Sequence, residues 1–78
     1  MEPTYNQINL LYRWISWKMP TPEAQAAVQW LRNNATRDEV SKEIKRVGDL
    51  YHHHKLIREE CFNSQIWDRY KELKNDSK

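Results

Sequence analysis

The chain has 78 residues, a formal net charge of +2 from 13 basic and 11 acidic side chains, and only one glycine and one cysteine. A chain of this length is expected to form one domain, residues 1–78, and to bury only about 60% of the surface that its unfolded form exposes. The lone cysteine excludes an internal disulfide, the lone glycine excludes a glycine-rich phosphate loop, and the interleaved charges lack the basic block that is typical of nucleic-acid-binding proteins.

The hydropathy pattern predicts a cytoplasmic protein. No stretch approaches the roughly 20 apolar residues that span a membrane. The first residues lack the basic start and the apolar run of a secretory signal. A single cysteine also fits a reducing compartment. We therefore expect no membrane partner.

A capping box predicts the start of the first helix. Thr4 is followed three residues later by Gln7, and in this arrangement each side chain accepts a hydrogen bond from the other residue's backbone N–H. One apolar stripe of the helix has the spacing of an ordinary core face. It consists of Ile8, Leu11, Tyr12, Ile15 and Met19. A second stripe points away from the first and needs another neighbour. It consists of Leu10, Trp14 and Trp17.

Prolines separate the first helix from the second. Pro20 ends the first helix, and Thr21 followed by Pro22 provides an N-cap and a proline at the first helical position. The second helix has one face of small and aliphatic side chains, which favours close packing. This face consists of Ala24, Ala27, Val28 and Leu31.

The only glycine, Gly48, bears on where the third helix ends. Thr36 and Glu39 form a second capping box, which starts a third helix. Gly48 follows two basic residues and fits the left-handed glycine at a helix C-terminus, so we expect a break there and a fourth helix after it. The alternative is one helix that continues through Gly48, at a cost of about 1 kcal/mol relative to alanine.

Together these elements predict an all-α fold, a small bundle of four to five short helices. No segment has the alternating pattern of a convincing strand. A final amphipathic segment, with Ile66, Tyr70 and Leu73 on one face, supplies the last helix. The predicted helices cover about residues 4–18, 22–33, 37–47, 50–62 and 65–73.

Three consecutive histidines, His52, His53 and His54, suggest a metal site. Consecutive helical residues are about 100° apart and do not converge on one ion, so such a site would need two chains. Cys61 lies seven residues after His54, about 10 Å along a helix, which is too far for a thiolate–imidazole pair. We therefore predict a buried, inert Cys61 and no metal, cofactor or catalytic residue.

Residues 36–58 resemble a helix-turn-helix unit. They combine a capped first helix, a turn at Gly48 and a second helix that carries basic side chains. The resemblance implies a nucleic-acid partner, which we keep as the alternative function. The residues that would contact nucleic acid are His52, His53, Lys55 and Arg58.

The aromatic stripe of the first helix is the predicted functional feature. Tryptophan, tyrosine and arginine are enriched at binding hot spots. The competing interpretation is that other helices cover the stripe within the monomer. The predicted protein-binding residues are Leu10, Arg13, Trp14 and Trp17.

These observations predict a small non-enzymatic regulator, inhibitor or adaptor that binds another protein through an aromatic helical face. A homodimer through the same face is a further alternative. The small size suggests a phage or mobile element as the source of the chain.

Overall fold

The computed structural model describes the backbone of residues 1–76 and the side chains of residues 1–73. Over this range it contains five helices and no strand, which confirms the predicted all-α fold. None of these helices combines the length and the apolar character needed to cross a membrane. The helices are α1 (Tyr5–Ile15), α2 (Thr21–Asn34), α3 (Arg37–His52), α4 (Arg58–Cys61) and α5 (Ile66–Asp76).

Both predicted capping boxes are present. The Thr4 hydroxyl accepts from the Gln7 N–H at 3.1 Å, and the Gln7 side chain accepts from the Thr4 N–H at 2.9 Å. The same reciprocal pair joins Thr36 and Glu39, at 3.2 and 2.9 Å. Each box satisfies two backbone donors that have no partner inside the helix, and this fixes where α1 and α3 begin.

The α1 and α3 helices run in the same direction and pack directly against each other, and α2 packs against α1. At their N-terminal ends, the Arg37 N–H donates to the Met1 carbonyl at 2.9 Å, and the Gln7 side-chain amide donates to the Arg37 carbonyl at 3.5 Å. At their C-terminal ends, the Trp14 ring lies against Gly48. This arrangement places the ends of α1 and α3 side by side.

The core is built from the predicted faces of α1 and α2, and Val40 and Val47 of α3 pack onto them. Leu11, Ile15 and Leu31 are fully buried. The four small and aliphatic residues of the α2 face are all buried, as predicted. The C-terminal part of the chain closes the core with Leu56, Cys61 and Trp67.

The predicted break at Gly48 is wrong. The α3 helix continues through Gly48 to His52, and Gly48 does not have a positive φ. A Cβ atom at this position would lie 2.8 Å from Cη2 of Trp14. The glycine is therefore required for close approach of the Trp14 ring, which outweighs its unfavourable helix propensity.

The chain turns after α3, at a different place from the one predicted. His54 has a left-handed φ of 58°, and the Lys55 N–H donates back to the Leu50 carbonyl at 2.8 Å. The turn brings Leu56 into the core, where it is 3% exposed. The predicted fourth helix over residues 50–62 is thus reduced to the four residues of α4. The helix-turn-helix arrangement is absent from residues 36–58.

We expect Gly48→Ala to destabilise the fold by about 1 kcal/mol. Overpacking against the Trp14 ring costs about 1–3 kcal/mol, and the gain in helix propensity returns about 1 kcal/mol. Urea denaturation followed by circular dichroism measures the balance. In a Trp14→Leu background the close contact is gone, so the same glycine substitution should become stabilising. Stabilisation of equal size in both backgrounds would contradict this role of Gly48.

Candidate functional site

The structure buries one tryptophan of the predicted aromatic stripe and exposes the other. Trp14 is only 8% exposed, stacks on Tyr51 with a centroid distance of 5.7 Å and meets the edge of His52 at 5.9 Å. The prediction that α1 presents Trp14 on its surface is therefore wrong, because the C-terminal half of α3 covers it. Leu10 is half-buried and packs against the core.

Trp17 remains on the surface and is 71% exposed. The α1 helix ends at Ile15, and the chain continues as a turn in which the Trp17 N–H donates to the Trp14 carbonyl at 3.3 Å. Trp17 therefore does not follow the helical path of Leu10 and Trp14. Arg13 is also exposed. Of the four predicted protein-binding residues, Arg13 and Trp17 are thus exposed.

A groove of about 390 Å³ lies beside Trp17, where the ends of α1 and α3 meet. We call it the Trp17 groove. Two of its aromatic lining residues, Tyr51 and His52, lie in the last turn of α3 and pack against the buried Trp14 ring. His54, in the left-handed turn after α3, lines another side of the groove. The groove is lined by Trp17, Lys18, Tyr51, His52, His54 and Leu56.

Four of these lining residues belong neither to the predicted protein-binding residues nor to the alternative nucleic-acid-binding residues. Tyr51 carries a sequence signal, because it continues the apolar spacing of Val40, Ile44 and Val47 in α3 and so indicates a helix face with a neighbour. His54 has the same spacing but lies in the turn after α3. Lys18 and Leu56 carry no local signal. Their positions depend on where α1 ends and on the turn at His54, which the spacing of apolar residues does not reveal.

A second depression lies along α3, next to the Trp17 groove. His52 lines both this depression and the Trp17 groove. Within the described side chains, the ammonium groups of Lys18, Lys42 and Lys45 have no carboxylate within 4 Å. The depression is lined by Lys42 and Lys45 and also by the acidic residues Asp49 and Glu60.

The residues of the alternative nucleic-acid site do not share one helix face. Two belong to the last turn and cap of α3, one to the loop and one to the start of α4. His53 Nδ1 lies 2.7 Å from the Asp49 carbonyl oxygen, and Arg58 pairs with Glu23 at 3.4 Å. All four side chains are exposed. They are His52, His53, Lys55 and Arg58.

Cys61 is fully buried, as predicted. Desolvation raises the pKa of its thiol above the usual value, against the opposing influence of the Arg46 guanidinium. A thiol with a raised pKa is a poor nucleophile at neutral pH. Among the described residues, no three histidine, cysteine or acidic side chains converge on a position that could hold a metal ion.

A buried carboxylate, which the sequence pattern did not indicate, connects α3 to the C-terminal part of the chain. Glu43 is 3% exposed. Its oxygens accept hydrogen bonds from Arg46 Nε and Nη2 at 3.0 and 2.7 Å, from the Ser64 hydroxyl at 2.9 Å and from the Trp67 indole N–H. These donors compensate the cost of removing a charge from water.

Arg46 extends this network to α4. Its guanidinium also donates to the carbonyl of Glu60 at 2.7 Å and to the carbonyl of Cys61 at 3.1 Å. Carbonyl groups at a helix end have no partner inside the helix. The Glu43–Arg46 pair therefore holds both α4 and α5 on α3, and we assign it a structural role.

A second groove, of about 620 Å³, lies between α1 and α2 on a different side of α1. We call it the Tyr5 groove, after its most exposed aromatic residue, which is 73% exposed. Its lining combines apolar and uncharged polar side chains, with Arg32 as the only charged side chain among them. The Tyr5 groove provides a comparison surface of similar aromatic character.

No protein-family model, curated protein or solved structure matches this chain.

Proposed function

We propose that this chain is a small non-enzymatic regulator or adaptor that binds another protein through the Trp17 groove. The observation that carries the proposal is the exposure of Trp17, 71%, at the rim of a groove with aromatic walls. A tryptophan side chain buries about 150–250 Å² when it is covered. A partner that covers Trp17 therefore gains much apolar area from one residue.

The walls of the groove are held in place before a partner arrives. Tyr51 and His52 belong to the last turn of α3 and pack against the buried Trp14 ring. Leu56, which also lines the groove, is almost completely buried. Association loses less conformational entropy when the contact side chains are already ordered. The packing of Trp14 thus supports binding indirectly, through the side chains that it positions.

Capture of partners by the tagged protein tests this proposal. Trp17→Ala should weaken capture by about 30-fold or more, because truncation of a hot-spot residue costs at least about 2 kcal/mol. Tyr5→Ala is the matched control, since Tyr5 is an exposed aromatic residue at the N-terminal end of α1, away from the Trp17 groove. Each lysate should be divided into nuclease-treated and untreated halves, and bound proteins identified by mass spectrometry.

Circular dichroism of both variants separates binding from folding. We expect unchanged helicity for Trp17→Ala and capture by Tyr5→Ala at the wild-type level. Equal capture by the wild-type protein and Trp17→Ala would contradict the proposed surface. Capture that disappears after nuclease treatment would contradict a protein partner.

A further inference from the structure

We propose that the Tyr5 groove binds a small aromatic carboxylate, with the ring of the ligand between two tyrosines and its carboxylate on Arg32. This inference goes beyond the proposed function, because the Tyr5 groove shares no lining residue with the Trp17 groove. Small-molecule sites have volumes of roughly 300–1,000 Å³ and combine an apolar lining with a few polar groups. The Tyr5 groove, at about 620 Å³, has both properties.

Two antiparallel helix ridges form the sides of the groove. The Arg37 N–H donates to the Met1 carbonyl at 2.9 Å, so the end of α2, which lies just before Arg37, is beside the start of α1. Residues at i, i+4 and i+7 lie on one side of a helix. One ridge consists of Tyr5, Asn9 and Tyr12, and the other consists of Gln25, Gln29 and Arg32. Tyr5 and Arg32 therefore lie at the same end of the groove.

The spacing of the two tyrosines fits one aromatic ring. Tyr5 and Tyr12 are seven residues apart, which is about 10.5 Å along a helix axis. A ring midway between them is about 5 Å from each, and paired aromatic rings prefer centroid distances of about 4.5–7 Å. Ile8 and Val28, which also line the groove, are buried and provide an apolar surface beneath the ring. An aromatic ligand is therefore favoured over an aliphatic ligand of the same size.

The charge of the groove selects an anion. Arg32 is the only charged lining residue, and no carboxylate of the described side chains lines the groove. Most of the described basic side chains also lack an ion pair, so the selection follows from the absence of acids here. In the depression along α3, by contrast, Asp49 and Glu60 lie among the lysines. A guanidinium binds a carboxylate through two parallel hydrogen bonds.

Side-chain amides provide polar contacts along the rest of the groove. Asn9, Gln25 and Gln29 are exposed, and their amides have no hydrogen-bond partner among the described side chains. An amide group both donates and accepts hydrogen bonds. A hydroxyl on the ligand ring, opposite the carboxylate, therefore finds a partner at the Gln25 end. The ligand class is an aromatic carboxylate with a polar group on the far side of the ring.

A proton–nitrogen NMR titration of the full chain tests the inference. The probe is para-hydroxyphenylacetate. Two control compounds each lack one of its features: para-hydroxyphenylacetamide lacks the charge, and para-hydroxycyclohexylacetate lacks the aromatic ring. We expect the probe to bind with a Kd of about 1 mM or lower, as suits a ligand of this size. Its largest shifts should occur in backbone amides of α1 and α2, and both control compounds should bind more weakly.

Two substitutions that each remove one positive charge locate the carboxylate. Arg32→Gln should weaken binding of the probe about tenfold, because a hydrogen-bonded charge pair is lost. It should leave the affinity for the uncharged acetamide unchanged. Lys71→Gln removes a charge from an exposed position of α5, outside the groove, and it should change neither affinity. Far-ultraviolet circular dichroism should show the same helicity for both variants.

Each result of these titrations supports or overturns the inference. It is overturned if the probe does not bind, if either control compound binds at least as tightly, or if Arg32→Gln and Lys71→Gln have equal effects on the probe. Shifts confined to amides outside α1 and α2 would also overturn it. Tyr5→Ala should weaken binding of the probe about threefold or more, because one ring contact is lost. An unchanged affinity in Tyr5→Ala would contradict the placement of the ring.

Discussion

Glu43→Ala is expected to destabilise the fold by about 3–5 kcal/mol, the usual cost of removing one partner from a buried ion pair. The substitution leaves the Arg46 guanidinium partly buried without its carboxylate, and it leaves the Trp67 indole N–H, which lies in a fully buried side chain, without an acceptor. Small domains have about 5–15 kcal/mol of stability in total. A large fraction of the variant should therefore be unfolded under mild denaturing conditions.

Urea denaturation followed by tryptophan fluorescence measures this loss. Glu43→Gln keeps the shape of the side chain and a carbonyl acceptor but removes the charge, so its effect should be smaller, about 1–3 kcal/mol. Glu72→Ala is the control for loss of an exposed carboxylate. A change of less than about 1 kcal/mol for Glu43→Ala would contradict the structural role assigned to this network.

Trp14→Ala is expected to cost about 3–5 kcal/mol, as is typical when a large aromatic side chain is removed from a core. The ring fills the space between α1 and the C-terminal half of α3, where it contacts Gly48, Tyr51 and His52. Removing it leaves a cavity and releases the walls of the Trp17 groove. Thermal denaturation should show a large decrease in the midpoint.

Trp17→Ala is the matched control for this experiment. It removes the same side chain three residues later, at an exposed position where substitutions usually change stability by less than about 0.5 kcal/mol. Similar destabilisation by the two substitutions would mean that Trp17 is also a structural residue. The proposed binding surface would then lose its principal contact.

The parts of the fold that depend on local chemistry could be predicted from the sequence. Each capping box needs only residues three positions apart, so Thr4 with Gln7 and Thr36 with Glu39 identify the starts of α1 and α3. The buried face of α2 follows from the 3.6-residue period. Both signals lie within a single helix and do not depend on its neighbours.

The continuity of α3 could not be predicted because it depends on a distant residue. A glycine after two basic residues normally indicates a helix end, and local rules contain no information about the ring of Trp14. The same ring contact explains both the wrong break at Gly48 and the wrong placement of Trp14 on the surface. One unrecognised tertiary contact therefore accounts for both differences.

The Glu43 network could not be predicted from the sequence for a similar reason. Glu43 and Arg46 have the i,i+3 spacing of an ordinary solvated pair. Their burial results from Ser64 and Trp67, which are 21 and 24 residues from Glu43 in sequence. Only the tertiary fold brings those donors to the carboxylate.

The prediction of the aromatic stripe depended on a helical projection, which places Leu10, Trp14 and Trp17 on one side of a helix. That projection assumes that the helix continues past residue 17, whereas α1 ends at Ile15. The turn that follows Ile15 separates Trp17 from Trp14 and leaves Trp17 exposed. The proposed surface therefore keeps Trp17 from the predicted stripe and gains its other walls from α3 and the turn that follows it.

Site-specific photo-crosslinking tests the central proposal most directly. The photoreactive amino acid p-benzoylphenylalanine is introduced in place of Trp17 and, in a separate variant, in place of Tyr5. Each variant is then irradiated with the captured partner. We expect a covalent adduct with a single protein from position 17 and none from position 5. Adducts from position 5 alone, or from both positions equally, would contradict binding through the Trp17 groove.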